Sequence, residues 1–498
     1  MVHVTGDPGF PAWTNGVDAS LAGKVDTATA NATYAPRIFT VDAPVNNAAV
    51  DMPAINVKIA LANILGGIVQ LQPGTYFISA ALTPLANGVI VQGHGPYATV
   101  IRSLSLTADF ITSTGTFLIG VRDLQLESLI ARTAGSGINF TNVEGVVIEN
   151  VRWIDTYNFG TFTGCTALWM TKIKTASSAT GVINRGFWFQ GCIDTHLHNV
   201  MINGGNCILP TTTAWIQFDS NCDTIVLFDV IIVHSSGAGR CLWFTNTLAG
   251  FAPRWVNVNG FAFEGSSAGA GMGENGILID AILSATFSNG NLATCRMGVE
   301  ISGGRDIRFN GVKLINNWLL GANLAGTTGP TDVTFTACTF SDNSRGGPAA
   351  APHIFINSHV VSTAIEHCYF GNGILGNVNK VTYAINNNCL GTVVRDCRFE
   401  LAGFTSGVLT GTNTPTMRDN TGYSTTVVLG PPTVPATTVA YTNNYGTDAM
   451  VYIKGGSVTA VVVNGVDTGL ISGAFLVPAG TYLVMAYTVA PTWVWIGV

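Results

Sequence analysis

The groups in this chain that could do acid–base chemistry are few and fall at regular intervals. His234 and Glu264 stand 30 positions apart, each just past a short apolar phrase, and Asp155, Asp342 and Glu400 hold a similar place elsewhere. Glu149, His198, Glu366 and Arg395 form a second set, at the second position of that phrase. Hydrolysis of a glycosidic bond asks for two carboxyl groups about 5–9 Å apart, one to protonate the leaving oxygen and one to attack or activate water. Neighbouring strands lie about 4.8 Å apart, so residues one repeat apart can meet if the chain stacks on itself with that period. Glu264 and His234 are the leading candidates for the catalytic or polar role, with solvated surface charge as the alternative for each. Trp169 and Trp188 are candidates for glycan contact. They lie in residues 155–191 with Tyr157, Phe159, Phe162, Phe187 and Phe189. Aromatic faces suit the C–H groups of sugar rings, and burial against a neighbouring subunit is the competing account.

Other chemistries lack their residues. HExxH, P-loop and GxSxG patterns are absent. Residues 271–276 match GxGxxG but lead into apolar Ile277-Leu278-Ile279 rather than a helix, as a loop between repeats would. Ten cysteines are scattered with no CxxC and no zinc spacing. The expectation is therefore no metal and no cofactor.

The 498 residues are 47% apolar and 10% charged, with 58 glycines and a net charge of −6. That balance gives no electrostatic support to a nucleic-acid partner. Abundant Gly, Thr and Asn between short apolar runs favour short strands and tight turns. The first residues lack the basic head and apolar stretch of a signal peptide, and no uninterrupted apolar run suggests a membrane span.

The elements that would position the candidates come from a repeat. A six-residue phrase, apolar–any–turn residue–apolar–any–apolar, recurs with third positions Asp123, Asn150, Asn199, Asp229, Gly260, Asn289, Gly311, Ala337, His367 and Asp396. The gaps are 27, 49, 30, 31, 29, 22, 26, 30 and 29. The 49-residue gap reads as one coil plus an insertion within 155–191. Stacked repeats of this period without helical patterning indicate a parallel β-helix. Asn, Asp and Gly at one position suit a turn of positive φ. The fourth position then faces the lumen, filled by Val151, Val200, Val230, Phe261, Val312, Cys338, Cys368 and Cys397, and the three cysteines read as a buried packing column.

Both ends differ. Residues 52–65 read as a capping helix, with Asp51 as N-cap, Pro53 just inside and Gly66-Gly67 as the stop; Ile55, Ile59, Ala60, Ile64 and Leu65 would plug the lumen. Upstream, Leu21, Val25, Ala28 and Ala32 space as a short heptad stalk. Downstream, residues 430–435 read as a linker. Ala449–Lys454, 458–463 and 482–488 read as strands, with a turn at Asn464-Gly465. Trp493 and Trp495 share one strand face, where packing competes with sugar stacking. The expected domains are 1–44 (attachment or stalk), 45–425 (β-helix), 426–436 (linker) and 437–498 (C-terminal β-domain).

A short helix, then "GGIVQLQPGTYFIS", then "GVIVQGHGP…TVI" resembles the opening of pectate-lyase-like right-handed parallel β-helices, above all those of bacteriophage tailspikes. The resemblance implies an all-β, right-handed, single-stranded parallel β-helix. It implies a phage tail spike, fibre or minor tail protein, located in the virion and assembled in the bacterial cytoplasm. Such a protein forms a homotrimer, joins other tail proteins through its N-terminus, binds host surface polysaccharide and in some cases depolymerises it. A non-catalytic structural or receptor-binding subunit, and a cellular polysaccharide lyase or hydrolase, remain open. The spaced motifs of polygalacturonases and the calcium motif of pectate lyases are absent, and Gly93-His94-Gly95 sits in an opening turn.

Overall fold

The computed structural model describes residues 37–177, 183–205, 209–210, 212–234, 239–248, 250–265, 275–327, 329–346, 351–371, 381–400, 404–422, 428–429, 433–443, 448–478 and 480–497. The stalk heptads, most of the 271–276 glycine pattern and much of the 426–436 linker lie outside them. The chain is a parallel β-solenoid of about 13 turns, with one helix and small antiparallel sheets at its C-terminal end. A long sheet of 22 strands carries two faces of each coil, and a sheet of 12 strands carries the third.

The phrase forms the bend between the two faces of the long sheet. All ten third-position residues have φ between +51° and +65°, and Asp419 adds one more at +52°. His198 lies opposite Phe228 and Val200 opposite Val230, which places Asn199 beside Asp229 in one column. Asn150 donates to the Asp123 carboxylate of the preceding coil at 2.7 Å. A second column of positive φ stands five residues earlier in each coil, through Leu118, Gly145, Ala167, Asp194, Thr224 and Trp255. This column carries no residue signature, so the sequence alone does not show it.

The 49-residue gap is not an insertion. Thr166–Ala176 pairs in parallel with Glu144–Ile154 on one side and Ile193–Gly205 on the other. It is an ordinary coil whose third position is Lys172, at φ +56°. Lysine does not favour that region, so the copy was invisible to a search for turn residues. The Lys172 ammonium reaches Glu149 at 3.1 Å. The aromatics of residues 155–191 divide accordingly: Phe159, Phe162, Phe187 and Phe189 fill the lumen, while Trp169 and Trp188 point outward and are half-buried.

Stacking sets the interior. Phe162, Phe189 and Phe218 lie ring on ring at 5.1 and 4.8 Å, and Phe287, Phe309 and Phe335 at 4.8 and 5.0 Å. Each such side chain contributes roughly 1.5–3 kcal/mol of burial. Cys338, Cys368 and Cys397 continue the lumen column, and all nine described cysteines are buried. Burial pushes the Cys368 thiol well above its ordinary value, so it stays neutral.

The helix α1 (Ala48–Leu65) caps the solenoid against its first strands, Ile38–Val41, Gly67–Leu71 and Gly74–Ile78. Its N-cap is Asn47, whose side chain accepts from Ala49 N at 2.9 Å. Asp51, expected at that place, instead accepts from Val45 N and Asn47 N at 2.9 Å and Phe77 N at 3.1 Å, tying the incoming chain to a strand. Ile55, Ile59 and Ala62 enter the core, whereas Ala60, Ile64 and Leu65 remain exposed, so the lumen-facing stripe is narrower than expected. By length and composition alone the helix could cross a bilayer; three of its residues are built into the solenoid core.

The C-terminal module is two four-stranded antiparallel sheets with a separate core. Asn464 and Gly465 take φ +48° and +81°, as a tight hairpin requires. Trp493 and Trp495 are both buried there, 5.4 Å apart, so they pack rather than meet a ligand.

Coils differ in length mainly at one corner. Eleven residues separate Asn289, on the long sheet, from Glu300 on the twelve-stranded sheet, whereas nineteen separate His367 from Asn386.

Candidate functional site

On the outer face of the long sheet, charged side chains close on one another across coils. Arg254 reaches Asp223 at 2.6 Å, Arg395 reaches Glu366 at 2.8 Å, and Arg102 reaches Glu127 at 3.1 Å. Glu149, Glu366 and Arg395 are thus partners in surface pairs. Trp169 lies here with its ring stacked on His196 at 3.8 Å and 9°, and the row continues through His198 to Phe228. One face of Trp169 is occupied by that imidazole. His196 Nε2 is 2.7 Å from Asp194, and burial together with the charge of His196 lowers the pKa of His198.

Glu264 ends Arg254–Glu264, in register with Val233 on one side and Ala293 on the other. No carboxylate adjoins it in that row within one coil. His234 ends Asp223–His234, with its backbone opposite Gly205 across a register shift, and its side chain lies outside the described residues. The four sequence candidates therefore fall on three faces: Trp169 before the bend, Glu264 and His234 beyond it, Trp188 on the twelve-stranded sheet.

The twelve-stranded sheet carries a different arrangement around Trp188. Its outward row runs Thr161, Trp188, Gln217, Trp243, Leu278, Glu300, residue by residue in register. Arg185–Gln190 reads Arg-Gly-Phe-Trp-Phe-Gln, and Arg240–Phe244 reads Arg-Cys-Leu-Trp-Phe. In each, the guanidinium lies over the indole three residues later, at 4.4 Å for Arg185 on Trp188 and 4.2 Å for Arg240 on Trp243. The inward Phe and Leu anchor the strand, so the outward pair is held at fixed height. Gly186 is required beneath it, since a Cβ there would lie 2.0 Å from Trp215 O. The two tryptophans are two strand spacings apart, about 9.6 Å.

Polar atoms in this strip lack partners. Arg185 Nε, Trp188 Nε1, Gln217 Oε1, Arg240 Nε and Nη1, and Asn275 Oδ1 are buried without a hydrogen bond. Buried polar atoms are normally satisfied, so a cluster of exceptions calls for water or a polar ligand to complete the set. Burial lowers the pKa of both arginines, opposed by Asp219 for Arg185 and by Asp280 and Glu300 for Arg240. Trp243 Nε1 donates to Asp280 Oδ2 at 2.7 Å, and Asn275 Nδ2 to Glu300 Oε2 at 2.6 Å. The arrangement offers aromatic edges and faces, guanidinium donors and two carboxylates along one line, which suits a hydroxylated chain parallel to the solenoid axis.

Trp188 was visible in the sequence, but its partners were not. The signal was the repeated Arg-x-apolar-Trp-Phe string, 55 positions apart. Among the described residues, no three His, Cys, Asp or Glu side chains are grouped to hold a metal ion.

No family model and no curated protein matches this sequence. Among solved structures, the tailspike gp49 of Pseudomonas phage LKA1 is similar over 96% of this chain and 97% of its own, at 12% identity and a TM-score of 0.49. The A-module of Azotobacter vinelandii mannuronan C-5 epimerase AlgE6 is similar over 74% and 94%, at 16% identity and 0.46. Bacteriophage CBA120 tailspike protein 3 is similar over 80% and 64%, at 13% identity and 0.44.

Proposed function

We propose that this chain is the glycan-binding shaft of a bacteriophage tail spike or minor tail fibre, engaging host surface polysaccharide along the strip from Trp188 to Glu300. The observation that carries the reading is the doubled guanidinium-backed tryptophan, with unpartnered polar atoms between and beside the two copies. Sugars present both C–H faces for aromatic contact and hydroxyls for such donors and acceptors. The tail role rests on the sequence resemblance of the opening coils and on the separate C-terminal module. In this reading residues 1–44 join the tail and three copies assemble, so that weak sites act together.

The test is binding of purified full-length protein to host envelope glycans, with Trp188→Ala and Trp243→Ala beside the parent. Loss of about thirtyfold or more in each, at unchanged melting behaviour, is the expected result. Parental affinity in both removes the site.

A depolymerising activity is a second reading, favoured by Asp280 and Glu300. Glu300 is in register with Leu278 of the adjacent strand, and Asp280 follows two residues later. One strand spacing across and two residues along put their backbones about 8 Å apart, compatible with a carboxylate pair. New reducing ends from host glycan, abolished in Glu300→Gln, would support it; intact glycan after prolonged incubation leaves a binding protein.

A further inference from the structure

The two copies of the arginine–tryptophan motif are not electrically equivalent. Arg240 feels the charge of two carboxylates, Asp280 and Glu300, which are hydrogen-bonded to Trp243, Ser302 and Asn275, so the charge around it is negative in sum. Arg185 feels one, Asp219, so that pair is neutral in sum, and this carboxylate too is hydrogen-bonded elsewhere. Its Oδ1 accepts from Ser220 N at 2.7 Å and Thr247 N at 2.9 Å, and its Oδ2 from Thr247 Oγ1 at 2.5 Å. Among the described residues the Arg185 guanidinium makes no hydrogen bond or ion pair, its Nε is buried and unmatched, and it lies over the Trp188 ring. A half-buried guanidinium with no anion bonded to it gains when a ligand supplies one. The planar fork of arginine fits a carboxylate with two parallel N–H···O bonds.

We propose that the Arg185–Trp188 end of the strip binds the carboxylate of an acidic sugar, while the Arg240–Trp243 end, where Asp280 and Glu300 outweigh one guanidinium, binds an uncharged one. The ligand is then an acidic heteropolysaccharide, held in one direction along the solenoid axis. This inference rests on the glycan reading above and specifies its chemistry. On the outer face of the long sheet, by contrast, Arg254, Arg395 and Arg102 already hold carboxylates.

The experiment is a panel of bacterial surface polysaccharides, each beside its carboxyl-reduced form, with some phosphate-bearing members, probed with the full chain. Acidic members should bind at least about tenfold more tightly than their reduced forms, with a salt dependence the reduced forms lack. Arg185→Gln should remove that difference, weakening the acidic form at least about tenfold more than the reduced form. Arg185→Lys, which keeps charge but not the fork, should lose part of it and guards against a folding defect. Arg240→Gln should weaken acidic and reduced forms by the same factor. Equal binding of acidic and reduced glycans, equal loss on both in Arg185→Gln, or selection for phosphate alone would overturn the carboxylate assignment while leaving the sugar site standing. Failure of the tryptophan variants to affect binding would instead overturn the site, and absence of binding across the panel removes both.

Discussion

On the outer face of the long sheet, Lys172 reaches Glu149, Arg254 grips Asp223 and Arg395 grips Glu366. On the outer face of the twelve-stranded sheet, Arg185 and Arg240 lie over tryptophans, and their inner N–H groups point at nothing. The lattice is the same in both places, with side chains of successive coils one strand spacing apart. The long sheet also leaves isolated atoms, Arg102 Nε, Arg122 Nε and His198 Nε2 among them. Among the described residues it shows no cluster of them beside exposed aromatic edges. A stacked fold closes its own polar groups by default, because each coil offers the next a partner at hydrogen-bonding range. A strip that stays open on such a lattice is therefore informative.

The comparison holds only if the two faces share one interior, and the largest expected effect tests that. Phe189→Ala, beneath the strip, and Phe335→Ala, beneath the long sheet, should each cost about 3–5 kcal/mol in chemical denaturation. A value under about 1 kcal/mol for either would mean that side of the lumen is not close-packed. Next in size is the contrast between tryptophans. Trp188→Ala should weaken glycan binding by about 2 kcal/mol or more, and Trp169→Ala should leave it unchanged, since His196 already covers one face of that ring. Equal losses in the two variants would place the ligand across both faces.

A third measurement asks whether polar groups at the inner corner of the twelve-stranded sheet are closed. His353 is fully buried, with its Nδ1 3.0 Å from Asn343 Nδ2. Burial pushes its pKa down to about 3, against the opposing pull of Asp342. The unfolded chain takes up a proton near pH 6.5 that the folded chain refuses. The contribution of this neutral imidazole is therefore whole above pH 6.5 and is lost as pH falls towards 3. The slope is up to about 1.4 kcal/mol per pH unit within that window. Denaturation midpoints from pH 7 to 4 should follow it, and His353→Gln should flatten it; an unaltered slope would assign the acid sensitivity to other groups. The smallest effect concerns Lys172. Its positive φ is unfavourable for lysine, and its ion pair is exposed. Lys172→Gly should raise stability by about 0.5 kcal/mol, the relief of that backbone slightly exceeding the lost pair and the added chain entropy. A clear decrease would show the pair to be worth more than exposed pairs usually are.

These residues also show how far the sequence can be read. The third-position column was legible because Asn, Asp and Gly are the residues that tolerate positive φ, and the periodic lumen positions followed from it. Lys172 broke the pattern without breaking the coil, since pairing on both sides imposes the turn on a residue that does not favour it. One missed copy then became a false insertion, and lumen phenylalanines were assigned to a loop. The candidate site was half legible: Trp188 stood out by type, but Arg185 acquires its meaning only from Asp219 being occupied elsewhere. That fact belongs to three-dimensional hydrogen bonding and leaves no trace in spacing. Glu264 and His234 were chosen by period alone. Period brings strands together but does not decide which neighbour a side chain meets, and Glu264 meets Val233 and Ala293.

The uneven corner between the long sheet and the twelve-stranded sheet has a consequence for how such a molecule diversifies. The two columns of positive φ keep their five-residue interval in coil after coil, while the stretch leading to the twelve-stranded sheet ranges from eleven residues to nineteen. Pitch and register are thus insulated from length changes at that corner, which borders the strip holding Trp188 and Trp243. Recombination or mutation can rewrite the border of the strip one coil at a time, as movable type is reset in a fixed frame, without renegotiating the scaffold that holds it.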